Sequence, residues 1–174
     1  MRLESVSFFC PAYFDEKSLP QLIPEVFKFV SSITAQFEII IVEDGSPDKT
    51  GLIADQLAEK YPHVKVIHHE KNMGYGATLK AGFKAAKYDY IIYTDGDCQY
   101  DIKELERCLD LLKDADIISC YVTKKAVTTF RKFQSIIFNM IIRSLFPVNI
   151  EDINCSMKIY KRKVIEAIDM RSNS

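Results

Sequence analysis

Ile91-Ile92-Tyr93-Thr94-Asp95-Gly96-Asp97-Cys98-Gln99-Tyr100-Asp101 is the stretch on which the reading of this chain turns. Its first half is apolar and β-prone, as a buried strand should be. It then runs into two carboxylates separated by one glycine. Residues i and i+2 of an extended chain point to the same side, so two acidic side chains can converge where the strand ends. Hard divalent cations take such oxygens, and a phosphate-bound Mg²⁺ or Mn²⁺ uses only one or two protein carboxylates. Glycine between them lets a ligand approach the backbone. The competing reading is an acidic turn that caps the next helix. Asp101 with Glu104 already fits that capping role, which leaves Asp95 and Asp97 without a structural task.

Outward from this stretch the chain alternates between strands and helices. Ser5 to Cys10 reads as a first strand that Pro11 stops. Ser18-Leu-Pro-Gln21 has the form of a capping box and opens a helix to about Ile33. Phe37 to Val42 is nearly all apolar, as in a parallel strand covered on both faces. It ends in the turn cluster Glu43-Asp44-Gly45-Ser46-Pro47-Asp48, and Asp48 can cap a helix to about Tyr61. Val64 to His68 is a third strand. The loop Lys71 to Gly76 leads to a helix through about Ala86. The strand before Asp95 is the fourth, Asp101 to about Leu112 a helix, and Ile117 to Tyr121 a fifth strand. This order indicates βαβ units, an α/β class and a mostly parallel, Rossmann-like sheet flanked by helices. Open sheets of this kind bind ligands beyond the carboxyl ends of their strands. Pro11, Asp44, Asp95 and Asp97 then share one rim.

Composition fits one globular domain. The chain has 174 residues, 48% hydrophobic and 27% charged, enough to bury a core. A net charge of -1 gives no bulk drive toward nucleic acid. The 5 cysteines are scattered, odd in number and form no CxxC pair, which argues for reduced thiols and a cytoplasmic setting. No secretory signal pattern opens the chain, and no apolar run reaches the roughly 20 residues that span a bilayer. His63, His68 and His69 read as structural or solvated.

Beyond Tyr121 the character changes. Thr123 to Thr129 is polar and basic, and Phe130-Arg131-Lys132-Phe133 opens an apolar helical stretch to about Phe146. Its apolar face is wider than an ordinary stripe. Three readings stand: a core helix, an interfacial helix or lipid-substrate groove flanked by cations, and a partner-binding helix. Ser156 to Tyr160 alternates like a strand with one wet face, and Lys161 to Met170 reads as a last helix.

Five blocks together resemble the family 2 (GT-A type) glycosyltransferases. The resemblance is greatest to the branch that moves sugars from nucleotide donors to polyprenyl phosphates, as dolichyl-phosphate mannose synthases do. Pro11-Ala-Tyr-Phe-Asp-Glu16, Val42-Glu-Asp-Gly-Ser-Pro-Asp48, Asn72-Met-Gly-Tyr-Gly-Ala77, Thr94-Asp-Gly-Asp-Cys-Gln99 and the segment from Arg131-Lys132 through Asp152 to Arg162 match the family's blocks in order. Phe14 stands where the family usually has Asn, Glu43 replaces an Asp, and Ser156-Met157 replaces Gly-Phe.

The resemblance implies a single catalytic domain over residues 1–174, with a nucleotide-sugar half at 1–121 and an acceptor half at 122–174. Relatives commonly continue past this last helix, so the chain reads as a trimmed catalytic core. Asp97, Asp95 and Gln99 would hold Mn²⁺ or Mg²⁺. Pro11, Tyr13, Asp15, Asp44, Gly74 and Asp95 would bind the donor nucleotide, although turn chemistry also accounts for Asp15 and Asp44. Arg131 and Lys132 would grip an acceptor phosphate, or serve only as cations at a helix start. Asp152 would be an acceptor-side acid, and a general base if the acceptor is a glycan hydroxyl. Asp97, Asp152 and Arg131 form the implied catalytic set, for an inverting single displacement. The polyprenyl-phosphate acceptor implies a peripheral position at the inner face of a membrane. Two other function classes remain open: a nucleotide-sugar-binding module without turnover, and a nucleotidyltransferase with the same metal-and-carboxylate chemistry.

Overall fold

The computed structural model describes residues 2–98, 100–121, 140 and 155–170. Among the described residues, six strands form one sheet in the order β3-β2-β1-β4-β6-β5. They are β1 (Val6–Ala12), β2 (Phe37–Glu43), β3 (Val64–His68), β4 (Tyr90–Tyr93), β5 (Ile117–Ser119) and β6 (Lys158–Lys161). The helices are α1 (Leu19–Ile33), α2 (Thr50–Lys60), α3 (Tyr75–Ala85), a 3₁₀ helix η1 (Ile102–Lys113) and α4 (Arg162–Glu166).

Strands β1 to β4 run parallel, as continuous apolar runs joined by helices dictate. Alternate residues of each strand feed opposite faces. Val6, Phe8 and Cys10 of β1, with Ile39 and Ile41 of β2 and Ile92 of β4, pack under α1, α2 and η1. Phe9, Ile40, Val42, Ile91 and Tyr93 face the other way, against Phe83 of α3. The α3 contact is tight because residue 82 is glycine. A Cβ there would lie 2.3 Å from the Phe9 ring.

Several boundaries differ from the sequence expectation, each for a physical reason. Pro11 does not stop β1; it lies inside it, paired in register with Val42. The Ala12 carbonyl accepts from Asp44 N–H, so the polar groups of Ala12 face β2 and those of Pro11 face the opposite side. On that side the β4 ladder has ended at Tyr93 opposite Phe9, and a missing N–H breaks no bond. The capping box at Ser18 does not form. Ser18 is already in helical conformation, and its hydroxyl donates to Asp15 Oδ1 at 2.8 Å. Asp101 does cap η1, accepting from Lys103 N–H at 3.0 Å. The last helix is short, ending at Glu166 where Met170 was expected.

The largest topological departure is β6. It inserts between β4 and β5 and runs antiparallel to both. The expected apolar helix from Phe130 to Phe146 lies outside the described residues except at Met140, which is helical and exposed. No helix among the described residues is long and apolar enough to cross a membrane.

Candidate functional site

The strand order places β2 and β3 on one side of β1 and β4 on the other. The chain therefore reverses its winding between β1 and β4, the position where open α/β sheets form a ligand crevice. Four loops meet at the carboxyl rim there: residues 13–18 after β1, 44–49 after β2, 69–74 after β3 and 94–98 after β4.

A cleft of about 260 Å³ opens among them, lined by Pro11, Ala12, Tyr13, Asp44, Asn72, Gly74, Tyr75 and Thr78. Residues from three sequence blocks thus share one cavity. Tyr13 is exposed at its edge, and its ring meets Phe14 edge-to-face at 4.7 Å. Phe14 occupies the left-handed region at φ 59. Asparagine tolerates that conformation better than a bulky residue does.

Asp44 is buried and organises the glycine turn. Oδ1 accepts from Met73 N–H at 2.9 Å and lies 2.6 Å from His69 Nδ1, and Oδ2 accepts from Gly74 N–H at 2.9 Å. Burial alone would raise its carboxyl. The His69 side chain and the two N–H donors outweigh that and hold it below the usual carboxylate range. Gly74, at φ 87, gives the turn a conformation that suits only glycine. Gly45, at φ 65, sits against the same loop, and a Cβ there would lie 2.4 Å from the Lys71 carbonyl carbon.

Of the three histidines read as structural or solvated, His68 and His69 have acidic partners. His68 lies between Glu43 (3.2 Å) and Asp55 (2.9 Å), and His69 pairs with Asp44. Glu43 is buried, and its carboxylate also accepts from Ser46 N–H.

Asp95 is half-buried and Asp97 exposed, on the turn that follows β4. Tyr75 O–H donates to Asp95 Oδ1 at 2.8 Å, and Asp95 N–H donates to Ser156 Oγ at 3.4 Å. The end of β1 and the loop after it crowd this turn at Gly96. A Cβ on Gly96 would lie 2.8 Å from the Pro11 carbonyl oxygen and 2.9 Å from Asp15 Oδ2. Asp15 is itself fixed, accepting from Tyr13 N–H at 3.0 Å and Ser18 O–H at 2.8 Å while its own N–H donates to Thr50 Oγ1 at 2.8 Å. Asp15, from a distant block, thereby lies against the turn that carries Asp95 and Asp97.

Among the described residues, no group of three or more His, Cys, Asp or Glu side chains forms a ready metal cage. An ion that also binds a diphosphate does not need one. The oxygen donors of this turn, half-buried at Asp95 and exposed at Asp97, suit a hard divalent cation; glycine at 96 makes room for Pro11 and Asp15, where the sequence suggested the approach of a ligand. Gln99, Arg131, Lys132 and Asp152 lie outside the described residues.

Sequence reasoning missed Thr50, Tyr75 and Ser156. Thr50 and Ser156 are buried polar residues that bond the Asp15 and Asp95 backbones. Tyr75 carries a weak signal, as the one large residue between two glycines at a helix start.

The family model described as glycosyl transferase family 2 matches residues 7–169. The chain belongs to glycosyl transferase family 2. Among curated family members it is 30% identical over 169 residues to an undecaprenyl-phosphate 4-deoxy-4-formamido-L-arabinose transferase of Photorhabdus laumondii, covering 96% of this chain and 52% of that protein. A protein of the same name from Pseudomonas savastanoi is 30% identical, with 95% and 50% covered. The chain thus spans about half the length of the curated relatives it matches.

Solved structures share the fold. Glucosyl-3-phosphoglycerate synthase of Mycobacterium tuberculosis in complex with UDP superimposes with a TM-score of 0.73 at 14% identity, covering 95% of this chain and 59% of that one. A mannosyltransferase of Pyrobaculum calidifontis in complex with GDP-Man and Mn²⁺ gives 0.65 at 17%, covering 95% and 46%. Both are glycosyltransferase structures of the GT-A type, and the six-stranded, mostly parallel sheet is that fold.

Proposed function

We propose that this chain is a glycosyltransferase catalytic domain that moves a sugar from a nucleoside diphosphate-sugar to a polyprenyl phosphate. The observation that carries the reading is the convergence of the Pro11–Asp15, Asp44 and Gly74–Tyr75 segments on one cleft beside the Asp95-Gly96-Asp97 turn. A nucleotide needs an apolar slot for its base, polar groups for its ribose and an approach to backbone for its phosphates. Pro11 and Tyr13 suit the first, Asp15, Asp44 and Asp95 the second, and Gly74 the third.

Asp97, with Asp95 and Gln99, would hold Mn²⁺ or Mg²⁺. When bound, the ion supplies Lewis-acid charge neutralisation for the departing diphosphate. The protein's own contribution is to position the donor. Asp44 fixes the glycine turn, and Thr50 and Ser18 fix Asp15.

Arg131 and Lys132 would hold the acceptor phosphate, Arg131 through two parallel hydrogen bonds. A phosphate acceptor is already ionised near neutral pH and needs no strong base, so Asp152 would act by placing charge. With a glycan hydroxyl as acceptor it becomes the general base. A single displacement inverts the anomeric carbon. A polyprenyl acceptor places the reaction at a membrane surface. The names of the curated relatives support this acceptor class.

The test is transfer of radiolabelled sugar from UDP-, GDP-, dTDP- and CDP-sugars to undecaprenyl phosphate in detergent micelles, with Mn²⁺ or Mg²⁺. Label in the lipid fraction, absent for Asp97→Asn, is the expected result. Donor binding with no transfer to lipid or glycan would assign a binding module instead.

A further inference from the structure

We infer that Tyr75 is a positioning residue of the donor site, whose hydroxyl holds the Asp95 carboxylate in place across the cleft. This rests on the donor-site reading above.

Two successive residues at the start of α3 are tied to two different acidic turns. Gly74 N–H donates to Asp44 Oδ2 at 2.9 Å, on the turn after β2. Tyr75 O–H donates to Asp95 Oδ1 at 2.8 Å, on the turn after β4. The β2 and β4 turns lie on opposite sides of β1. The first turn of α3 therefore links the two halves of the rim. The Tyr75 side chain also lines the cleft with Pro11, Tyr13 and Asp44.

Core packing does not account for this residue. Tyr75 is 52% exposed, whereas Phe83, two turns further along α3, is 9% exposed and carries the contact to the sheet. Its exposed ring leaves the bond to Asp95 as the contact that fixes the hydroxyl at the rim.

The consequence is preorganisation. A carboxylate on a turn samples several rotamers, and a ligand that needs one of them loses affinity in selecting it. With Oδ1 held by Tyr75, Asp95 presents its carboxylate in one orientation, and the ligand contact falls to Oδ2.

The test uses the full chain as wild type, Tyr75→Phe, Asp95→Asn and the double variant. Each is titrated calorimetrically with UDP, GDP, dTDP and CDP in Mn²⁺, and each is melted. Tyr75→Phe is expected to melt close to wild type and to bind about tenfold more weakly, the scale of one charge-assisted hydrogen bond. The double variant is expected to bind like Asp95→Asn alone, because the hydroxyl's other neighbour, Tyr93, is packed in the core. Wild-type affinity in Tyr75→Phe would overturn the inference, and so would losses that multiply in the double variant. A large drop in melting temperature for Tyr75→Phe would make it a packing residue and also overturn it. If wild type binds none of the four nucleotides, the donor-site reading itself fails and the inference falls with it. That result is distinct from a wild type that binds and a variant that is unaffected.

Discussion

Glu38 and Asp95 are carboxylates at opposite ends of one sheet, and they are held in different ways. Glu38 lies near the amino end of β2 and is almost wholly buried, at 4% exposure. It accepts from Ser7 O–H at 2.6 Å and Lys87 N–H at 2.9 Å, and pairs with Lys65 at 2.9 Å. Burial opposes its charge, yet these partners hold its carboxyl below the usual range. Asp95, on the carboxyl rim, is half-buried and held by one tyrosine hydroxyl, and Asp97 beside it is exposed. A carboxylate enclosed by donors serves the fold. One held by a tyrosine hydroxyl on the rim, next to a cleft, is where the proposed donor site needs it. Asp44 stands between the two cases: it lines the cleft, yet both its oxygens are committed to the glycine turn.

The contrast has consequences that separate stability from binding. The largest is expected at the rim. Asp97→Asn should cost at least about 100-fold in metal-dependent nucleotide affinity while shifting stability by no more than about 0.5 kcal/mol, as exposed substitutions do. Titration alongside urea denaturation checks both numbers. Glu38→Ala should do the reverse. It leaves the buried Ser7 O–H without its acceptor and Lys87 N–H with Ser7 Oγ alone, and should cost about 3 kcal/mol, with nucleotide affinity of the folded fraction unchanged. A Glu38→Ala protein that folds normally but fails to bind nucleotide would break the comparison.

Gly96→Ala should blur it, because its Cβ would meet both the Pro11 carbonyl and Asp15 Oδ2. A stability loss of about 2 kcal/mol is expected, the scale of overpacking, together with weakened nucleotide binding. Acid titration sharpens it further. Glu38 and Asp44 both have carboxyls depressed in the folded state. Their stabilisation is fully present above the ordinary carboxylate range of about 4 and is lost as pH falls through their lower native values. Urea midpoints should therefore fall below about pH 4, and less steeply in Asp44→Asn than in wild type. The smallest effect is expected at Phe14, whose left-handed backbone favours asparagine. Phe14→Asn should raise stability by about 1 kcal/mol, seen as a higher urea midpoint.

What was legible in the sequence was what local pattern decides. Continuous apolar runs mark β1 to β4, and turn residues mark where each meets the rim. Asp101 could be read as a cap because its partner is two residues away. The rest depends on contacts across long separations. Nothing within Lys158–Lys161 says that it inserts between β4 and β5, because that choice is made by strands 41 to 68 residues earlier. Ser18 fits a capping pattern, but Asp15 competes for its hydroxyl once the loop after β1 folds back. The partners of His68 and His69, and the reach of Tyr75 to Asp95, likewise follow from which strands are neighbours.

The measurement closest to the central claim is calorimetric titration of the purified chain with UDP, GDP, dTDP and CDP, each with and without Mn²⁺ or Mg²⁺, beside Asp97→Asn. The account predicts metal-dependent binding of one diphosphate, lost in the variant while the fold is kept. Failure of a folded wild-type sample to bind any of the four, or equal binding by Asp97→Asn, would contradict it.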